Sequence, residues 1–471
     1  MYDVMSPRAE EFISDDEIRE SLRFAADNRG NRELILGVLD RARAMKGLNH
    51  RDALLLLDCD LPEINERIFA LAREIKQRFY GNRIVMFAPL YLSNYCINSC
   101  TYCPYHRQNT AIPRKKLTQE EIAAEVVALQ DMGHKRLALE TGEDPKHNPI
   151  EYVLESIRTI YSVKHKNGAI RRVNVNIAAT TVENYRKLKA AGIGTYILFQ
   201  ETYHKQDYET LHPAGPKHDY AWHTEAMDRA MEGGIDDVGC GVLFGLENYR
   251  YDFTGLLMHA EHLEAYKGVG PHTISVPRIR PADDIDAASF SNAVSDDMFE
   301  KIVAVLRIAV PYTGIIISTR ESQAARERVL KVGVSQISGG SRTSVGGYTT
   351  ECRHDETAQF DVNDLRTLDE VVRWLLEMGH IPSFCTACYR EGRTGDRFMK
   401  LVKSGQIANC CQPNALMTLK EYLEDYASPE TRAVGEKVIA AELLRVPNEK
   451  VRRIAAENLE AIAHGKRDFR F

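Results

Sequence analysis

The chain has 471 residues, with 61 Lys plus Arg against 67 Asp plus Glu, a net charge of −6, and ten cysteines. Its 44% hydrophobic and 27% charged content is that of a folded globular protein, and excludes disorder, collagen and a coiled coil as descriptions of the whole chain. The mild acidity argues against nucleic acid held on a broad basic face, and no apolar run approaches the ~18–20 residues needed to span a membrane. The opening stretch MYDVMSPRAEEFISDDEIRE is acidic and lacks the apolar centre of a secretory signal, so a cytoplasmic setting is expected. In that compartment cysteines serve as thiols or metal ligands rather than disulfides.

Residues 1–78 read as helices, because LILGVLDRARAM and EINERIFALAREIKQRFY carry apolar residues at helical spacing. Short β-rich runs follow at 83–94, 136–142, 171–179, 195–202, 237–246, 272–281, 314–321 and 334–341. Between them lie amphipathic segments with capping residues, such as TQEEIAAEVVALQDMG and SDDMFEKIVAVLRIAV. Regular alternation predicts an α/β fold, a complete TIM-type (β/α)8 barrel over 79–349, with a doubly wound sheet as the competing reading. From 350 to 471 the alternation stops, and a mainly helical C-terminal extension is expected.

Directly after the first strand stands Cys96-x3-Cys100-x2-Cys103, with Tyr102 before the last cysteine. Three thiolates on one loop suit three irons of a 4Fe–4S cube and leave one iron open to a small molecule. His106 keeps a Cys3His zinc knuckle in play. The motif, its aromatic residue and its place at a strand's C-terminal end resemble the radical S-adenosylmethionine (radical SAM) superfamily. That resemblance implies that SAM binds the open iron and is cleaved to a 5′-deoxyadenosyl radical. The family's Gly-Gly-Glu-like turn is matched in part by Gly142 and Glu143 at the end of strand two.

A second group, Cys385-x2-Cys388 with Cys410 and Cys411 farther on, has metal-site spacing. On spacing alone it fits a zinc ribbon or a second iron–sulfur cluster. Cys59, Cys240 and Cys352 are isolated and read as small buried hydrophobes. With both groups, and with stretches such as GNRIVMFAPLYLSNYC, GPHTISVPRIRPA and CTACYREGRTGDRFMKLVKSGQIANCC, the chain resembles the tyrosine lyases of FeFe-hydrogenase maturation over essentially its whole length.

The resemblance implies a C–C lyase that splits L-tyrosine into p-cresol and dehydroglycine. It implies, too, that the fragment becomes carbon monoxide and cyanide at an auxiliary cluster, giving an iron carbonyl cyanide unit for the hydrogenase. Cys96, Cys100 and Cys103 match the ligands of the SAM-binding 4Fe–4S cluster, and Cys385, Cys388 and Cys411 those of the auxiliary 4Fe–4S cluster, with Cys410 the rival for the third place. His272 matches the ligand of an additional labile iron, although it falls at a strand start rather than a strand end. Tyr102, Gly142, Glu143 and Glu201 are candidates for contact with SAM; Arg320 is the candidate clamp for an amino-acid carboxylate, and Ser341, with Arg342, a further substrate contact. An ion pair with a neighbouring Glu is the plainer reading of Arg320. An electron donor such as flavodoxin or ferredoxin and other maturation proteins are the implied partners. The histidines of HKQDYETLHPAGPKHDYAWH read as surface or supporting residues, and the basic stretches RKK and IRR as solvated faces. The alternatives are a thiazole-pathway tyrosine lyase and, outside enzymes, a zinc-stabilised binding or scaffold protein.

Overall fold

Strand β1 (Arg83–Ser93) alternates Ile84, Met86, Ala88 and Leu90 on one face with Phe87, Pro89 and Tyr91 on the other, and almost all of it is buried. A strand buried on both faces belongs to a parallel sheet covered by helices. In the computed structural model, which describes residues 1–350 and 357–471, that sheet is a closed barrel. It continues with β2 (Arg136–Thr141), β3 (Arg172–Asn176), β4 (Tyr196–Ile197), β5 (Val238–Gly241), β6 (Thr273–Ser275), β7 (Gly314–Ile317) and β8 (Gln336–Ser338). All neighbours are parallel, and β8 returns to β1 with Val85 opposite Gln336. The eight strands stand where the alternation placed them, but most are shorter at their C-terminal ends. There the chain lifts into loops around an internal chamber while keeping single rungs, such as Leu198 N–H to Gly239 O at 3.0 Å and Gln200 N–H to Gly241 O at 2.8 Å.

The tail departs from the expectation of an end to the sheet at 350. A ninth strand, β9 (Ile381–Ser383), pairs in parallel with the first residues of β1, Arg83 opposite Ile381. Three residues centred on Pro382 carry no readable periodicity, and proline is tolerated there because β9 is an edge strand. Helices Leu368–Glu377, Ala408–Asp425, Pro429–Leu443 and Glu449–Ala463 complete the extension. Among the described residues no helix is long and apolar enough to cross a membrane.

The leading helices, Asp15–Asn28, Arg32–Ala42, His50–Asp58 and Pro62–Tyr80, are capped by Ser14, Asn31 and Asn49 side chains and by Pro62 at the first helical position. A buried ionic knot ties them to the barrel's outer helix Tyr249–Lys267. His50 donates from Nδ1 to Glu261 at 2.8 Å and from Nε2 to Glu17 at 2.9 Å, so both ring nitrogens carry protons. Burial opposes that charge, but the two carboxylates raise the His50 pKa. The Arg51 hydrogen bonds, with His50 adding to them against burial, hold Glu17 down to about 2. The depressed Glu17 contributes stability above its ordinary value of 4.5 that is lost as pH falls toward about 2. The raised His50 contributes stability below its ordinary 6.5 that is lost as pH rises through its folded value. E17Q is therefore expected to destabilise the fold by about 1–3 kcal/mol near neutral pH. Thermal melts across pH should show a shallower acid limb than in the parent; an unchanged limb would remove this knot from the pH response.

Candidate active site

The three-cysteine loop leaves β1 at Asn94 and is held by an arginine that the basic stretch 114–116 conceals. Arg114 donates to four loop carbonyls: Asn94 at 2.7 Å, Tyr105 at 2.9 Å, His106 at 2.7 Å and Asn109 at 3.1 Å. The expectation of a solvated face fails here because the guanidinium's planar set of donors satisfies backbone acceptors that a non-helical loop leaves unpaired. Gly142, in the turn after β2, lets the loop approach: a Cβ there would lie 2.4 Å from the Tyr95 carbonyl oxygen and 3.1 Å from the Cys96 Cβ. Its neighbour Glu143 accepts from the Ile97 N–H at 2.9 Å through its carbonyl and from Asn98 Nδ2 at 2.6 Å through its carboxylate.

Cys96, Cys100 and Cys103 line a chamber of about 250 Å³ at the C-terminal mouth of the barrel, together with Tyr102, Glu143, Glu201 and Arg320. Burial raises all three thiols, Cys103 to about 11, and Cys96 adds to the rise at Cys100 and Cys103. Lys217 opposes that repulsion. Burial would lower its pKa, yet Glu201, 2.8 Å away, and the thiols Cys100 and Cys103 raise it. Glu201 is held at φ +69°, a strained conformation for a residue with a side chain. The Tyr102 hydroxyl donates to His212 Nε2 at 2.7 Å, while His212 Nδ1 donates to the Tyr208 carbonyl at 2.6 Å. That pattern fixes a neutral tautomer, and burial pushes His212 down to about 2. His212 and His223 are therefore interior supports rather than surface residues.

Arg320 lies in the turn after β7 with its guanidinium 3.8 Å from the centre of the Phe360 ring. An ion pair with a neighbouring Glu is not formed, because Glu321 is engaged by Arg278 and Arg280. Ser341 is buried with no hydrogen-bond partner for its Oγ among the described residues, and the chamber wall includes Arg320 but not Ser341. The Arg342 N–H donates to the Tyr348 hydroxyl at 3.1 Å. His106 faces Asp284 at 3.1 Å and Gln108 at 3.3 Å, away from the chamber, which removes the fourth ligand of a zinc knuckle.

The second thiol group gathers at the opposite, N-terminal end of the barrel. Because β9 docks beside the start of β1, Cys385 is carried beneath the barrel floor. Cys388 sits in the short helix Ala387–Arg390, and Cys411 at the start of the helix Ala408–Asp425. Cys385, Cys388 and Cys411 line a smaller chamber of about 70 Å³ with His272, Arg136, Arg172 and Arg393; Cys410 is not on its wall. The Cys411 hydrogen bond, outweighing burial, with Arg393 assisting, lowers Cys388 to about 6. His272 immediately precedes its strand, and its Nδ1 is buried without a hydrogen-bond partner among the described residues, 3.4 Å from Asp237. Burial pushes it down to about 4. The IRR stretch is not solvated either: Arg171 pairs with Glu421 at 2.8 Å, and Arg172 is buried in this floor. Cys59 and Cys240 are buried as small hydrophobes, while Cys352 lies outside the described residues.

The donor sets fit polynuclear iron–sulfur groups. A mononuclear zinc site draws thiolate sulphurs to about 3.8 Å of one another, given a Zn–S length of about 2.3 Å. Among the described residues, three ligand atoms lie within 4.8 Å of one another only at His204, Asp207 and Glu247, so neither thiol set is gathered to that spacing. Soft thiolates in threes, each facing an open chamber, suit iron–sulfur ligation.

Residues 90–252 match the family model of the Radical SAM superfamily, and residues 275–381 that of the Biotin and Thiamin Synthesis associated domain. A crystal structure of HydG, described as a maturase of the FeFe-hydrogenase, is 55% identical with a TM-score of 0.94, covering 98% of this chain and 100% of that one. The HydG structure from Carboxydothermus hydrogenoformans is 40% identical with a TM-score of 0.83, covering 96% and 99%. The 2-iminoacetate synthase of Escherichia coli strain K12 is 31% identical over 346 residues, which is 73% of this chain and 89% of that protein. A likeness of this extent, running through the thiol sets at both ends of the barrel, makes the chain a member of the HydG family of radical SAM enzymes.

Proposed function

We propose that the protein cleaves the Cα–Cβ bond of L-tyrosine to p-cresol and dehydroglycine, and that dehydroglycine becomes carbon monoxide and cyanide at a second iron–sulfur centre. The product in this reading is an iron carbonyl cyanide unit for FeFe-hydrogenase assembly, passed to other maturation proteins in the cytoplasm. The observation that carries the reading is one barrel with a thiol set at each end, in a chain that HydG matches almost completely. The match to 2-iminoacetate synthase leaves about a quarter of the chain uncovered.

Cys96, Cys100 and Cys103 would hold a SAM-binding 4Fe–4S cluster, which, reduced by a donor such as flavodoxin or ferredoxin, would supply the electron that splits SAM into methionine and a 5′-deoxyadenosyl radical. Glu143 and the Gly142 turn approach the same loop and bind the SAM amino-acid end. Glu201, fixed by Lys217, presents a carboxylate to SAM, and the Tyr102 ring, anchored by His212, walls the chamber. Arg320 holds the substrate carboxylate, with Ser341 behind the wall as a supporting contact. At the floor, Cys385, Cys388 and Cys411 would hold the auxiliary cluster, and His272, whose Nδ1 has no hydrogen-bond partner among the described residues, would hold an additional labile iron.

Anaerobically purified protein is expected to be brown and to contain about eight or nine irons. With L-tyrosine, SAM and reductant it should yield p-cresol, carbon monoxide and cyanide. Colourless protein holding zinc contradicts the radical reading; p-cresol without carbon monoxide assigns the thiazole-type lyase instead.

A further inference from the structure

Glu140 and Arg320 are an acidic and a basic side chain set in the wall of the same chamber, and among the described residues neither has an ion-pair partner within 4.0 Å. Glu140 sits at the C-terminal end of β2, in register with Tyr91 on β1 and Asn176 on β3. Its carboxyl hydrogen-bonds with Asn176, and the charge that acts on it is that of Arg320. The Arg320 Nε is buried and, among the described residues, has no hydrogen-bond partner. Tyr91 neutralises neither group, because its hydroxyl is given to Gln359 at 2.8 Å. An enclosed carboxyl and guanidinium that do not meet are each left without a charged partner, and a ligand bearing an ammonium and a carboxylate on adjacent atoms supplies both at once.

We infer that Glu140, oriented by Asn176, receives the ammonium group of an α-amino acid whose carboxylate is taken by Arg320, so that the chamber selects a zwitterion. This rests on the proposed amino-acid substrate and names the residue that recognises its amino end. Burial raises the Glu140 pKa, the Asn176 hydrogen bond and the Arg320 charge oppose that rise, and an arriving ammonium favours the carboxylate further.

The test is equilibrium binding to the anaerobically reconstituted full-length enzyme, comparing L-tyrosine with 3-(4-hydroxyphenyl)propanoate, which keeps the phenol and carboxylate but lacks the amine. E140Q preserves the size of the side chain and a hydrogen bond to Asn176. It should weaken L-tyrosine about 10- to 100-fold, the effect of losing a charge-assisted hydrogen bond. The amine-free analogue should bind both forms equally, which also reports an intact chamber. Equal weakening of both ligands, or unchanged L-tyrosine affinity, overturns the inference. A parent enzyme that binds no L-tyrosine defeats the substrate reading, and this inference with it, whereas tyrosine binding by the parent isolates the role of Glu140.

Discussion

C96S is expected to abolish 5′-deoxyadenosine and p-cresol formation together, a loss of at least about 10³-fold, because a serine hydroxyl does not replace a thiolate as an iron ligand. The environment gives the substitution its force. Burial raises the Cys96 thiol, so the free side chain is a poor anion, and only a bound metal draws off its proton. Arg114 and the Gly142 turn still hold the loop in place, so the variant should fold and lose about four irons while the floor site keeps its own. Iron analysis and product quantification check this. Retained p-cresol formation in C96S would separate the loop from the chemistry.

The second large effect is selective. C385S with C388S should leave p-cresol formation within about three-fold of the parent and remove carbon monoxide entirely. The two chambers lie at opposite ends of β2. Arg136 faces the lower one, where it hydrogen-bonds with Cys385, and Glu140 faces the upper. Four residue steps along the strand separate them, about 13 Å at 3.3 Å per residue. A substitution at the floor therefore leaves the mouth's packing untouched, and sites so far apart act additively. Gas analysis by carbon monoxide trapping, alongside p-cresol quantification, reads the two outcomes separately. Equal loss of both products from a folded double variant would contradict the division of labour between the ends of the barrel.

The mouth of the barrel was legible in the sequence because its determinants are local. Cys96, Cys100 and Cys103 lie on one loop, and the strand before them is buried on both faces, which leaves a continuous apolar run. The tail was less legible. β9 has three residues around a proline, and its placement depends on the exposed edge at the start of β1, which exists only once the barrel is folded. That docking brings Cys385, Cys388 and Cys411 beneath the barrel beside His272, and places Cys411 rather than Cys410 on the chamber wall.

Charged residues show the boundary most sharply. Arg114, Arg171 and Arg172 read as solvated basic stretches, since a charge is most economically left in water. The ligand spacing, the strand order and the helix caps are set by neighbours along the chain, and so they could be read from the residues alone. Which face of a strand looks into an enclosed chamber is set by closure of the sheet. In β2, alternate positions carry Arg136, Ala138 and Glu140 inward, and only the return of β8 to β1 turns that face into the lining of both sites.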